Sequence, residues 1–343
     1  MVTNDLARNL SWERMRLILL ASTLVFSAGL LWLFERLAPA LGLLDEPNAR
    51  SLHDQPVVVG GGVAFALSVT LALYVTPTPT VLDYPVALVG LLLCALGMLD
   101  DRFELPSLPR LLAYFLAAVW LVNQVDLLLD WHSTFALIAI AIAVTWHINL
   151  FNFMDGADGL AVTQALMVSV GLALISSFSQ TLDSAATPHS SLAWGGWIFT
   201  AALLPFAVRN WPPARVFMGD SGAVFLGFIL AAFGMAAFRQ DARLGAAWAI
   251  LMAPFITDAT ATLLLRLSRG LPPHVAHSDH LYQRLARRMQ SPLPVVLGLM
   301  AMHMLWQFPL ACWVVMGEYS PWIAVILSPV ITLGLLAYER MNP

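Results

Sequence analysis

Lysine is missing altogether: all 17 basic residues of the 343-residue chain are arginine. Charge of either sign is scarce, at 11% of residues, whereas a soluble domain carries about 25%. So few charges cannot coat a globule of this size, and a soluble domain is excluded. Disorder, collagen and coiled coil are excluded too, because 59% of the residues are hydrophobic and mean hydropathy is +0.77. A net charge of −4 argues against a nucleic-acid-binding surface. Cysteine is nearly absent, and Cys94 and Cys312 both lie in apolar runs, where a thiol behaves as a small hydrophobe. Neither a disulfide framework nor a cysteine metal site is expected. The N-terminal segment, with three Arg and two acids, leads into an apolar run and shows no small-residue cleavage pattern, so a retained first helix is expected.

Long apolar runs are what the chain has in abundance. A bilayer-spanning helix needs about 17–25 mostly apolar residues. Eleven candidates stand between charged or Gly/Pro breaks, at 17–36, 61–77, 84–99, 110–125, 133–149, 160–178, 192–208, 222–238, 245–265, 293–315 and 321–338. Backbone in lipid must satisfy its own hydrogen bonds, and the runs lack barrel-like alternation, so they are read as helices. The expectation is an all-α polytopic membrane protein with about 11 transmembrane helices, residues 1–343 forming one integral-membrane domain. Trp12, Trp32, Trp131, Trp194, Trp197, Trp211 and Trp322 fall near run ends, as an interfacial aromatic belt requires.

Alternation across eleven spans places the loops around 45–60, Asp100/Asp101, Asn152–Asp158, Arg209–Asp220 and Arg266–Gln290 on one side. Twelve of the 17 Arg lie there; Arg8, Arg14, Arg16, Arg239 and Arg243 lie opposite. The positive-inside rule makes the richer side cytoplasmic.

These same loops hold the polar clusters. Asp100 and Asp101 end an apolar run as adjacent carboxylates, which are either an ordinary solvated helix end or a magnesium- or phosphate-handling pair whose repulsion a divalent cation relieves. Mg²⁺ favours one or two carboxylates completed by water and substrate phosphates. His147-Ile-Asn149-Leu-Phe-Asn152-Phe-Met-Asp155-Gly-Ala-Asp158-Gly sets two amides and two acids within ten residues, more than a minimal turn needs. Arg215-Val-Phe-Met-Gly-Asp220-Ser-Gly opens a new helix, where the Asp is either a cap or a partner for Mg²⁺ and phosphate. The first loop carries Arg50 and His53, donors suited to phosphate oxygens, before the weak phosphate-loop hint of Gly60-Gly-Gly62. His274, His277 and His280 repeat every third residue ahead of Arg284, and phosphate or sugar contact is preferred to zinc, which needs a fourth ligand. His132, His189 and His303 are isolated and read as structural; His147 stays undecided.

In order, the segments DEPNARSLH…GGG, LDDRFELP, NLFNFMDGADGL, VFMGDSGAVFLGF and HSDHLYQRL resemble the polyprenyl-phosphate N-acetylaminosugar-1-phosphate transferases, glycosyltransferase family 4. They span residues 45–285. The last segment looks more like the O-antigen-initiating subgroup, which acts on undecaprenyl phosphate, than the enterobacterial His-x-His-His form. Two positions depart from the subgroup. Val58-Val59 stands where a Pro-x-Arg precedes the glycines, and Tyr114 stands where a Gln follows the basic residue of the Asp-Asp loop.

The resemblance implies transfer of a sugar-1-phosphate from a UDP-N-acetylaminosugar to undecaprenyl phosphate, with release of UMP, at the cytoplasmic face of a bacterial inner membrane. It implies Mg²⁺, with Mn²⁺ as a substitute. Asp100 is then the base, and Asp220 the metal ligand with Asn152 and Asp101 nearby. Asn149, Asp155 and Asp158 shape the nucleotide site, and Arg50, His53, His277, His280 and Arg284 hold phosphate or sugar. One-step transfer and passage through a phosphorylated Asp100 both stay open, as do a homodimer and the choice among GlcNAc, FucNAc, QuiNAc and other aminosugars.

Two rivals come from other classes. A transporter predicts acids inside spans and an internal repeat; the acids cluster at one face, no repeat is seen, and Asp258 alone fits it. Its alternative reading is a buried contact to a neighbouring helix. A prenyltransferase or CDP-alcohol phosphotransferase needs an Asp-x-x-Asp array or a DG-x-x-AR run, and Asp155-Gly-Ala-Asp158-Gly-Leu-Ala lacks the Arg.

Overall fold

The computed structural model describes residues 2–47, 55–76, 84–125, 134–182, 191–272, 277–317 and 320–341. The helices are α1 (Val2–Leu37), α2 (Gly62–Val75), α3 (Tyr84–Phe103), α4 (Ser107–Val125), α5 (Thr134–Phe153), α6 (Leu160–Leu182), α7 (Ser191–Asn210), α8 (Gly219–Gln240), α9 (Ala242–Ser268) and α10 (Leu281–Arg288). The C-terminal part is α11 (Leu293–Met302), a π turn (His303–Gln307), α12 (Phe308–Met316), α13 (Pro321–Leu327) and α14 (Val330–Met341). Within the described residues every apolar run read from the sequence falls on helix, the last one broken at 328–329 between α13 and α14. Among the described residues nine helical stretches, against the eleven expected, are long and apolar enough to cross a membrane; α2, at 14 residues, falls short of that length, and α3 is not among the nine.

Helix α8 is the axis of the bundle. Seventeen of its 22 residues are buried, and it packs on α3, α5 and α9. A helix apolar all round belongs in the middle of its neighbours. Lipid supplies little hydrophobic drive between helices, so close backbone approach through small residues does the joining. A Cβ on Gly62 would collide with the Cα of Gly222, and one on Gly97 would come within 2.6 Å of the Asp220 backbone. Helices α2 and α3 thus press against the first turn of α8.

The outer helices present apolar side chains outward: Leu17, Ile18 and Val25 on α1, Leu108 and Leu116 on α4, and Trp322 and Ile326 on α13 are all exposed. Trp12, Trp32, Trp211 and Trp322 are exposed as an anchoring belt requires, and the Arg36 guanidinium covers the Trp32 ring at 3.8 Å. Trp194 does not belong to that belt. It is buried, and its indole N–H donates to Thr76 Oγ1 at 3.1 Å, joining α7 to the end of α2. Trp131 lies outside the described residues.

Candidate active site

Five polar loop segments meet at one end of the bundle, as their shared parity predicts. Val57 and Val58 pair antiparallel with Asp45 and Leu44, and Val58 bridges to Val216. Phe217 N–H donates to Val58 O at 2.8 Å, and Gly61 N–H to Phe217 O at 2.9 Å. β-branched valines suit such a ladder; this is what Val58 and Val59 do where the subgroup has Pro-x-Arg. Two of the three glycines make close packing contacts, while Gly60, with φ +92°, lies beside Phe34 and Asp101. Gly61 faces Val216 and Phe206, and Gly62 lies against Gly222, so both serve packing.

Asp101 closes the end of α8. Its carboxylate accepts the backbone N–H groups of Asp220, at 2.8 Å, and Ser221, at 3.2 Å. These donors have no partner within their own helix, and a carboxylate at a helix N-terminus complements its dipole. The cap therefore comes from α3 and not from Asp220, which is free to point outward from the second position of α8. Gly219 lets this happen: it has φ +69°, and a Cβ there would run into the Asp101 carboxylate.

Asp100, 8% exposed, faces another way. It accepts the Leu105 N–H at 2.7 Å and pairs with the Arg110 guanidinium. The same Arg110 nitrogen reaches Asp220 Oδ2 at 2.9 Å, and Asn152 Nδ2 approaches that oxygen at 3.0 Å. The adjacent acids therefore do not need a metal to relieve their repulsion: Asp101 is held by two backbone N–H groups and Asp100 by Arg110. In the sequence Arg110 stands out only as one of the twelve arginines on the loop side. Its signal was an Arg in the first turn of an otherwise apolar helix, ten residues after Asp100.

The Asn/Asp loop divides its work. Asp155 lines a cleft with Asn152 and Asp158. Burial, reinforced by the carboxylates of Asp220, Asp101 and Asp158, pushes the Asp155 carboxyl well above the usual range. Asp158 accepts the Ala214 N–H at 2.9 Å, which pins the segment leading to Asp220. Asn210 works similarly, accepting from Gly159 N–H at 3.0 Å and donating to Val216 O at 2.8 Å. Asn149, one turn before Asn152, is half-buried and lines neither of the cavities described below. His147 is buried with Nδ1 2.8 Å from Gly227 O, a helix contact.

Arg50, His53 and His274 lie outside the described residues. His277 is half-buried, its ring 5.0 Å from that of His280, and burial, with the nearby charges of His280 and Arg266, lowers its pKa. His280, the N-cap of α10, is buried between Phe153 and Tyr282 with Nδ1 3.6 Å from Asp258 and lines neither cavity. Arg284 turns away from the cleft and donates to Glu339 O at 2.7 Å. Asp258, the acid inside α9, accepts Leu281 N–H at 2.9 Å, Tyr282 N–H at 3.2 Å and the Thr262 hydroxyl at 3.2 Å. It caps α10, which removes the one feature that suited a transporter. Tyr282 adds a hydrogen bond from its hydroxyl to Phe153 O at 2.9 Å.

Two cavities result, and Asp101 and Asp220 line both. The larger, about 440 Å³, also holds Asp45, Asn152, Asp155, Asp158, Ser278, Tyr282, Gln283 and Arg287. The smaller, about 350 Å³, holds Asp100, Glu104, Leu105 and Arg110. Among the described residues no three His, Cys, Asp or Glu side chains converge as a closed metal cage. Mg²⁺ asks for less, one or two carboxylates plus substrate oxygens, and Asp220 and Asp101 with the Asn152 amide form such a hard-oxygen set. A carboxylate has about four lone-pair sites, so the N–H bonds to Asp101 leave it acceptor capacity.

A model of glycosyl transferase family 4 matches residues 84–238. A Thermotoga maritima protein named undecaprenyl-phosphate alpha-N-acetylglucosaminyl 1-phosphate transferase is 30% identical over 246 residues, 70% of this chain and 73% of its own. A Bacillus subtilis probable undecaprenyl-phosphate N-acetylglucosaminyl 1-phosphate transferase is 26% identical over 265 residues, covering 73% and 72%. A Yersinia pestis protein with the same name as the Thermotoga one is 26% identical over 284 residues, covering 77% and 74%.

Proposed function

We infer, for a chain that belongs to glycosyl transferase family 4 and is a polyprenyl-phosphate N-acetylaminosugar-1-phosphate transferase, that its substrates are a UDP-N-acetylaminosugar and undecaprenyl phosphate. N-acetylglucosamine is the sugar that its relatives' names support first. The observation that carries the reading is the pair of cavities with Asp101 and Asp220 on their common wall, a two-substrate arrangement. Parity and the arginine distribution support a cytoplasmic site in a bacterial inner membrane, where the product starts a lipid-linked glycan such as O-antigen.

An oxygen of the lipid phosphate attacks the sugar-linked phosphorus. The bond to the bridging oxygen breaks, and UMP leaves with that oxygen. Asp100 takes the proton from a lipid phosphate that arrives singly protonated, and Arg110 holds the base and Asp220 in one register. Asp220, Asp101 and Asn152 would hold Mg²⁺, which when bound neutralises charge on the phosphates. Asp101 keeps Asp220 aimed outward, and Asp158 and Asn210 keep its approach segment in place. Positioning and charge compensation are what phosphoryl transfer needs.

Purified protein with Mg²⁺, undecaprenyl phosphate and a panel of UDP-aminosugars should release UMP and yield a diphosphate-linked lipid sugar by mass spectrometry. Release of UDP instead would mean glycosyl transfer to the phosphate and would overturn the reading.

A further inference from the structure

The larger cavity has an unbalanced wall. Five carboxylates line it, and among its described lining residues Arg287 is the one cation. A nucleotide diphosphate entering there needs positive charge on more than the Asp220 side.

Arg287 is placed by a chain of contacts. Asp258 holds the first N–H groups of α10, and Tyr282 ties that helix to the end of α5. Three arginines then leave α10 in two directions. Arg284 and Arg288 go to α14, reaching Glu339 O at 2.7 Å and Glu339 Oε1 at 3.0 Å. Gln283 and Arg287, one turn apart and so on one face, line the cavity instead. Arg287 donates to Ser278 O at 2.5 Å, which orients the guanidinium and leaves further donors. A guanidinium stays charged and offers a planar fork that fits phosphate oxygens.

We propose that Arg287 binds the diphosphate of the nucleotide sugar in the larger cavity, beside Gln283, and takes no part in holding the lipid phosphate, which occupies the smaller cavity beside Arg110. This rests on the nucleotide-sugar reading above.

Calorimetric binding of UDP-N-acetylglucosamine to the purified protein in Mg²⁺ tests it, with Arg287→Ala, Arg287→Lys and Arg288→Ala as variants. Arg287→Ala should bind about 10–100-fold more weakly, the loss expected for a charge-assisted contact to phosphate. Lysine should recover part of the affinity. Arg288→Ala removes the same charge one residue away and should bind as the parent does. In turnover, KM for the sugar nucleotide should rise with Arg287→Ala while KM for undecaprenyl phosphate and the melting temperature stay put. Unchanged binding by Arg287→Ala, or an equal rise in the lipid KM, would sink the assignment and leave the proposed reaction standing. Failure of the parent protein to bind any UDP-aminosugar would remove both.

Discussion

The Asp101 carboxylate accepts the backbone N–H of Asp220 at 2.8 Å, so two motifs 119 residues apart meet as a cap and the residue it aims. Gly219 makes room for that meeting, with φ +69° and no Cβ to strike Asp101. Gly219→Ala should cost about 1–2 kcal/mol in backbone strain alone and also turn Asp220 out of line. A lower melting temperature together with a raised Mg²⁺ requirement is expected; a shift in melting temperature with unchanged metal response would mean that Asp101 does not aim Asp220.

Asp220 and Asp101 are the hard-oxygen donors common to both cavities. Activity should vanish with EDTA and return with Mg²⁺ or Mn²⁺. Asp220→Asn should lower kcat by at least about 10²-fold, the scale seen when a group that stabilises transition-state charge is lost, with expression unchanged. Persistence of the rate in chelator would rule the metal out.

Asp100 differs from Asp220 in kind. The second pKa of a phosphate monoester is about 6, so above it the lipid phosphate arrives already deprotonated and needs no base. Asp100→Asn should lose about 10²–10⁴-fold near that pKa and recover partly toward pH 9, whereas Asp220→Asn should not recover. Parallel pH–rate profiles would leave Asp100 a ligand or a nucleophile, and a trapped phospho-Asp100 would establish the two-step route.

Asp258 reaches the site only through α10, by capping Leu281 and Tyr282. Asp258→Asn keeps one acceptor but turns an amide donor toward backbone donors. A lost cap is worth about 0.5–2 kcal/mol, so residues 281–288 should exchange amide hydrogen faster while the membrane bundle keeps its protection. Undiminished protection of α10 would show that the cap carries no weight.

Asp155 predicts a change of the opposite sign. Its carboxyl is pushed up by burial and by neighbouring acids, so above the ordinary carboxylate range the unfolded chain gives up its proton more readily than the folded one. Ionisation therefore costs folded stability progressively as pH rises. Asp155→Asn should raise the melting temperature of metal-free protein at pH 7 to 8, lose that advantage near pH 4, and weaken nucleotide binding. An advantage independent of pH would mean that the effect is packing.

The legible parts of the site were those with dense local signals. Adjacent acids, the Asn/Asp run and the Gly-Asp-Ser-Gly turn stand out in a chain with 11% charged residues, and the structure brings Asp100, Asp101, Asn152, Asp155, Asp158 and Asp220 together. On the cationic side Arg50 and His53 lie outside the described residues. His280 and Arg284 belong to a motif yet face Asp258 and α14, while Arg110 and Arg287, which line the cavities, carry no motif signal. A helix turns about 100° per residue, so adjacent arginines such as Arg287 and Arg288 look alike in sequence and differ only once the facing elements are known.

Sequence alone determined that the chain lives in a membrane, because hydropathy and run length are local properties that the bilayer reads residue by residue. Alternation of spans also determined which loops share a face. Tertiary structure alone decided what each polar group does there: that Asp101 caps the helix of Asp220, that Asp258 caps α10, and that Gly61 and Gly62 are packing contacts. Those roles depend on which unsatisfied backbone donors and which neighbouring surfaces come within reach, and that is set by contacts between residues far apart in the chain.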